Sequence, residues 1–168
     1  ARRELGAGTA AVLYDISNQY NSTLADVFRD TFTGLEGRIT AMESYTSDNA
    51  RDFTQQWRRI GAAAPDVVFL PNFQDDVLLQ GTQARALGVD STLLGGDGWD
   101  PNALAAERSF EGSYAAQAWD PNMPTVEARE FRSEYEAAHH KDPEGVSATT
   151  FDAVQLLVAA ARRGDPVK

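Results

Sequence analysis

Four stretches of the sequence gather acidic, amide and aromatic side chains: Asp15, Ser17, Asn18 and Tyr20; Tyr45 and Thr46; Asn72, Phe73 and Gln74; Asp97 and Trp99. None of the four contains Lys, Arg or His. Carboxylates and aromatic faces without a basic neighbour suit a cationic or ammonium-bearing small molecule, through ion pairing and cation–π contact. They do not suit a phosphate. Gly95, Gly96 and Gly98 let backbone approach a ligand closely, yet neither G-x-G-x-x-G nor a Walker pattern occurs. Catalytic signatures are equally scarce. The chain has no G-x-S-x-G elbow, no H-E-x-x-H and no EF-hand spacing. Asp75 and Asp76 are adjacent carboxylates, which on a helix point apart rather than form an acid–base couple. Nothing in the sequence requires catalysis, a cofactor or a bound metal.

Each candidate also has a plain structural role. Asp97 between glycines suits a turn, and Tyr20 suits the lead position of a following helix. Phe73 either tucks into a core or lines a pocket, and Trp99 either packs over the sheet or faces the loops. Trp57 shares helical spacing with Phe53 and Ile60 and reads as core. His139 and His140, the only two histidines, close a helix where cationic side chains suit the dipole.

Alternating strand and helix signals position these residues. Ala10–Tyr14 is an apolar run of strand length, followed by a helix carrying Leu24, Val27, Phe28, Phe32 and Leu35. Arg38–Tyr45 reads as a second, less buried strand. Ser47 or Asp48 caps a helix whose face is Ala50, Phe53, Trp57, Ile60 and Ala64. Val67–Leu70 is the third strand, Asp75–Leu87 a polar helix stopped by Gly88, and Thr92–Leu94 the fourth strand. A fifth strand is expected within Phe110–Trp119. Asp100-Pro101-Asn102 and Asp120-Pro121-Asn122 read as turns. Two helices finish the chain, one carrying Ala128, Phe131, Tyr135 and Ala138, the other Phe151, Val154, Val158 and Ala161. This alternation predicts an α/β fold, a doubly wound parallel sheet with helices on both faces. In such a sheet ligands bind beyond the carboxyl ends of the strands, which is where the four stretches fall.

Composition narrows the function classes. The 168 residues carry a net charge of −10, with 15 Lys+Arg against 25 Asp+Glu. That balance disfavours nucleic acid and anionic membrane surfaces. No cysteine is present, which excludes disulfides, thiol catalysis and Cys-ligated metals. The opening Ala1–Gly6 reads as the last turn of a helix, and Arg162-Arg163-Gly164-Asp165-Pro166 as a helix stop. The sequence therefore reads as part of a longer chain.

Several segments, in order, carry a resemblance. They are Val12-Leu13-Tyr14-Asp15 with Tyr20, Glu43-Ser44-Tyr45 with Asp52-Phe53, and Pro65-Asp66-Val67-Val68-Phe69. Ala84-Arg85-Ala86-Leu87-Gly88, Leu94-Gly95-Gly96-Asp97-Gly98-Trp99-Asp100, Phe131 with Tyr135, and Phe151-Asp152-Ala153-Val154 follow. This series resembles the branched-chain amino acid type of periplasmic substrate-binding protein, the solute receptor of an ABC importer. The resemblance implies a receptor of two α/β lobes that closes on its ligand, located in the periplasm or outside the cell, with a lipid anchor in a Gram-positive source. Residues 1–118 would be the second lobe, and 119–168 a hinge crossing and two helices that return to the first. Tyr20, Phe73 and Asp97 stand where the family's second lobe supplies two aromatics and an acidic residue, the last pairing with a ligand's α-ammonium. Phe73 lacks the hydroxyl of the tyrosine often found there. Asn72, Trp99 and Ser17 complete the expected ligand-binding set. The membrane subunits of a transporter are the implied partners. The same architecture also serves sensor domains of receptors and regulators, including amide and amino acid sensors. The final helix, apolar from Ala153 to Ala161, is expected to cover the sheet in a new way or to pair with a second chain.

Overall fold

In the computed structural model, which describes residues 1–46 and 51–163, two units form, Ala1–Ala116 and Gln117–Lys168. The first is built on a sheet whose inner strands are largely apolar because both of their faces are covered, Val67–Leu70 being apolar and buried at every position. Its elements are β1 (Thr9–Asp15), α1 (Gln19–Gly34), β2 (Arg38–Tyr45), α2 (Thr54–Ala63), β3 (Val67–Leu70), α3 (Gln74–Ala86), β4 (Thr92–Gly95), α4 (Pro101–Ala105), a 3-10 turn Arg108–Phe110, and β5 (Tyr114–Ala115). All four pairings are parallel, in the order β2-β1-β3-β4-β5. The strand order reverses between β1 and β3, and there the crossovers diverge to opposite faces and leave a crevice.

Successive residues along each strand feed different cores. Ala11, Leu13, Val68, Leu70 and Leu93 face α2, α3 and the α4 region, meeting Trp57, Ile60, Val77, Leu104 and Phe110. Ala10, Val12, Val67, Phe69 and Leu94 face α1 through Ala25, Phe32, Leu24 and Phe28. The doubly wound fold expected from the sequence is the fold observed, and β2 and β3 have the expected bounds.

The differences have local causes. Val27 is 55% exposed, because the buried stripe of α1 runs through Leu24, Ala25, Phe28 and Phe32 instead. Ala64 is exposed as the left-handed C-cap of α2, so the core face of that helix is Phe53, Trp57 and Ile60. The expected cap at Ser47 or Asp48, with Ala50, lies outside the described residues. Thr54 begins α2, its amide donating to the Asp52 carboxylate at 2.9 Å. β2 bulges at Thr40, whose hydroxyl donates to the Ala10 carbonyl at 3.3 Å. Asp100-Pro101-Asn102 is a helix start rather than a turn: the Asp100 carboxylate accepts the Asn102 amide at 2.9 Å, and Pro101 takes the first helical position. The fifth strand shrinks to two residues.

At the amino end of the sheet, Asp66 ties β3 to β1. One carboxylate oxygen accepts the Gly8 and Thr9 amides, each at 2.8 Å, and the Thr9 hydroxyl at 2.9 Å. These bonds, from Thr9 first and then Gly8, hold the Asp66 carboxyl below its ordinary value of 3.8. A carboxyl with a lowered folded pKa adds stability above its unfolded pKa and loses it as pH falls through the folded one. Asp66→Asn is therefore expected to lower the melting temperature at neutral pH, with the two proteins converging as the pH falls below the ordinary carboxylate range. A constant offset across that range would refute the assignment.

The second unit contains α5 (Val126–His139) and α6 (Gly145–Arg163). Thr125 caps α5 by accepting the Ala128 amide at 3.2 Å, and His140 closes it with a left-handed backbone, φ 55°. Trp119, Tyr135 and Phe151 pack around Phe131. Along α6 Ala148 is buried, but Val154 is 51% and Leu156 72% exposed. The stop expected at Gly164-Asp165-Pro166 lies outside the described residues. Among the described residues no helix is long and apolar enough to cross a membrane.

Candidate functional site

The loops at the carboxyl ends of β1, β3 and β4 converge beside the strand-order reversal. Asn18 starts α1 by accepting the amides of Tyr20 at 2.9 Å and Asn21 at 3.4 Å, which places Tyr20 in the first helical turn. Phe73 sits just ahead of α3, and the Tyr20 and Phe73 rings stack with centroids 5.4 Å apart and planes 20° apart. The β4 loop closes over this pair. A Cβ on Gly98 would lie 3.1 Å from the Asn72 carbonyl oxygen and 3.3 Å from the Phe73 ring, so a larger residue there would press on the β3 loop. Asp97, between Gly96 and Gly98, accepts a hydrogen bond from the Tyr20 hydroxyl. Phe73 is 49% exposed, and Asp97 is also open to solvent.

Burial, and then the bond to Asp97, push the Tyr20 phenol up to about 12. At neutral pH Tyr20 is consequently a donor. Tyr45, at the end of β2, is buried and donates to Asp76 at 2.7 Å; burial and then this carboxylate raise its phenol further. The group thus offers two stacked aromatic faces and an oriented negative charge, a geometry matched to a small cation.

The other expected residues do different work. Asn72 is only 1% exposed. Its side-chain amide donates to the Leu13 carbonyl at 2.8 Å and Gln80 Oε1 at 2.9 Å, and accepts from the Asp15 amide at 3.1 Å and Asn21 Nδ2 at 3.2 Å. Trp99 is 4% exposed, donates from Nε1 to the Leu70 carbonyl at 3.0 Å, and lies against Gly95, where a Cβ would fall 2.1 Å from the ring. It belongs to the core, edge-on to Phe110. Ser17 closes the turn after β1, its amide and hydroxyl both donating to Asp15 Oδ1, at 2.8 and 2.6 Å. Gln74 accepts the Asp100 amide at 2.8 Å, joining the β3 and β4 loops.

Asn21 and Gln80, both buried, escaped the sequence reading. One signal was present: Pro71 has no amide, so the chain leaving β3 cannot supply every donor the neighbouring strand needs. A cleft of about 200 Å³ lined by Trp99, Leu104, Phe110, Ser113 and Tyr114 opens beside β5 and shares only Trp99 with the loops. Among the described residues no three His, Asp or Glu side chains group as a metal site.

A family model described as periplasmic binding protein matches residues 1–168. A leucine binding protein, LivK from Thermotoga maritima MSB8, is 28% identical, with a TM-score of 0.88 over 98% of this chain and 48% of that one. LivJ of Streptococcus pneumoniae, a branched-chain amino acid transporter substrate binding protein in complex with isoleucine, is 22% identical, with a TM-score of 0.80 over 95% of this chain and 46% of its own. A solute binding protein of R. palustris in complex with benzoate is 19% identical, with a TM-score of 0.76 over 93% and 43%. The last two likenesses speak to the fold. The chain spans about half the length of the solved proteins it matches. No curated protein matches it.

Proposed function

The chain belongs to the periplasmic binding protein family, and on that premise we propose that it forms one lobe of an extracytoplasmic receptor for a small amino-acid-like solute, delivering to an ABC importer. The observation that supports this reading is the convergence of Tyr20, Phe73 and Asp97 at the strand-order reversal, with no basic side chain in the loops. Asp97 pairs with the ligand's ammonium, while Tyr20 and Phe73 present aromatic faces to it. Residues 1–118 act as the second lobe, and 119–168 cross a hinge and return two helices to the first. The first lobe supplies the groups for the ligand's carboxylate, and hinge closure makes the form the transporter reads. The leucine and isoleucine of two solved neighbours agree with an ammonium-bearing solute.

Thermal shifts of the full-length protein against the common amino acids test this, with Asp97→Asn alongside. A ligand at a hundred times its Kd adds about 2.7 kcal/mol of stability. One class of amino acid is expected to raise the melting temperature, and Asp97→Asn to weaken its binding by about tenfold to a hundredfold. A panel that stays silent for amino acids but responds to carboxylic acids without an amine, the class of the benzoate held by one solved neighbour, would overturn the ammonium assignment.

A further inference from the structure

We propose that Tyr20 is the positioning residue of this site, its hydroxyl holding the Asp97 carboxylate in the orientation that receives the ammonium of a ligand. The inference rests on the receptor reading above and adds a role for the hydroxyl that the aromatic face alone does not require.

Asp97 stands in an exposed loop with glycine on either side, the backbone least able to hold a side chain in one place. Tyr20 is fixed from two directions: Asn18 caps its helical turn, and Phe73 stacks on its ring. Its hydroxyl is therefore a fixed donor placed against a mobile acceptor, and the bond engages Oδ1 of Asp97, leaving Oδ2 to a ligand. The raised phenol keeps the proton on Tyr20 throughout the neutral range. A carboxylate held in place before the ligand arrives loses less freedom on binding, which appears as affinity.

Four proteins decide the matter: wild type, Tyr20→Phe, Asp97→Ala and the double variant, each full length. Tyr20→Phe keeps the ring and its stack on Phe73, so it removes the hydroxyl alone. Titrated with L-leucine, Tyr20→Phe is expected to bind about tenfold more weakly in the wild-type background. In the Asp97→Ala background the same change is expected to cost less than about twofold, since nothing remains to be positioned. Equal losses in both backgrounds would overturn the proposal and make Tyr20 a direct ligand contact. Melting the same four proteins without ligand gives a second readout. Non-additive shifts are expected, and additive ones would remove the Tyr20–Asp97 bond from the account. Should wild type ignore leucine and every other amino acid, the receptor reading fails. Non-additive melting would then retain only Tyr20 holding Asp97, and additive melting would overturn that as well.

Discussion

Asn72→Leu is expected to destabilise the protein by about 3–5 kcal/mol, although leucine keeps the branched shape of asparagine. The two faces of the Asn72 amide stand in for a peptide group. β1 and β3 pair from Ala10↔Val67 to Val12↔Phe69, and the ladder then ends. Beyond it the Leu13 carbonyl and Asp15 amide still need partners. Pro71 carries no N–H, so Asn72 reaches back with its side chain and bonds to both, while holding Asn21 and Gln80 with its remaining capacity. Leucine leaves these four groups buried without a partner, and each one stranded costs about 1–3 kcal/mol. Partial relaxation and water entry keep the total below the sum. Urea unfolding should show a lower midpoint at an unchanged slope. A loss under about 1 kcal/mol would mean that the network does not bear on stability. The change also reaches the site, because Asn72 directly precedes Phe73, and its carbonyl lies under Gly98.

Trp57→Ala is the second large effect, again about 3–5 kcal/mol. Trp57 is fully buried and heads the side chains in that state by volume. It belongs to the core cluster with Phe53, Ile60 and Val68 that seats α2 on the sheet. Alanine removes most of that contact and leaves a cavity that a parallel sheet, bonded along both sides of β1, collapses into poorly. Trp57→Phe provides the contrast. The indole N–H of Trp57 has no hydrogen-bond partner, so phenylalanine discards an unsatisfied donor while keeping a ring. That variant is expected to lose less than about 1.5 kcal/mol. Equal losses for alanine and phenylalanine would show that the N–H is bonded, for instance through a water, and that packing is not the main term.

These two residues also show how far residue order carries a reader. Trp57 was readable as core from its spacing with Phe53 and Ile60, because helical period and burial are both local properties. The bounds of β2 and β3 were readable for the same reason. Asn72 was readable as a loop residue after β3, but its role was not. Its partners lie 59 residues away at Leu13, 57 at Asp15 and 51 at Asn21, and no local pattern names them. Asp97 and Trp99 make the point within one loop. Only two positions apart in sequence, one is open to solvent and the other is core. Gly95 is the cause, since the bare backbone there admits the indole and draws Trp99 under the loop.

From residue order follow the alternating fold, the two-sided burial of its strands, the absence of cysteine chemistry and the acidic, aromatic character of the loops. Each depends on composition or on a period of two or about 3.6 residues, which neighbours alone set. The grouping of Tyr20, Phe73 and Asp97, and the withdrawal of Asn72 and Trp99 into the interior, depend on β1 lying beside β3 and β3 beside β4. Strand order is a property of the assembled sheet. Distances between loops that are 53 or 77 residues apart therefore exist only once the sheet has formed, and with them the site.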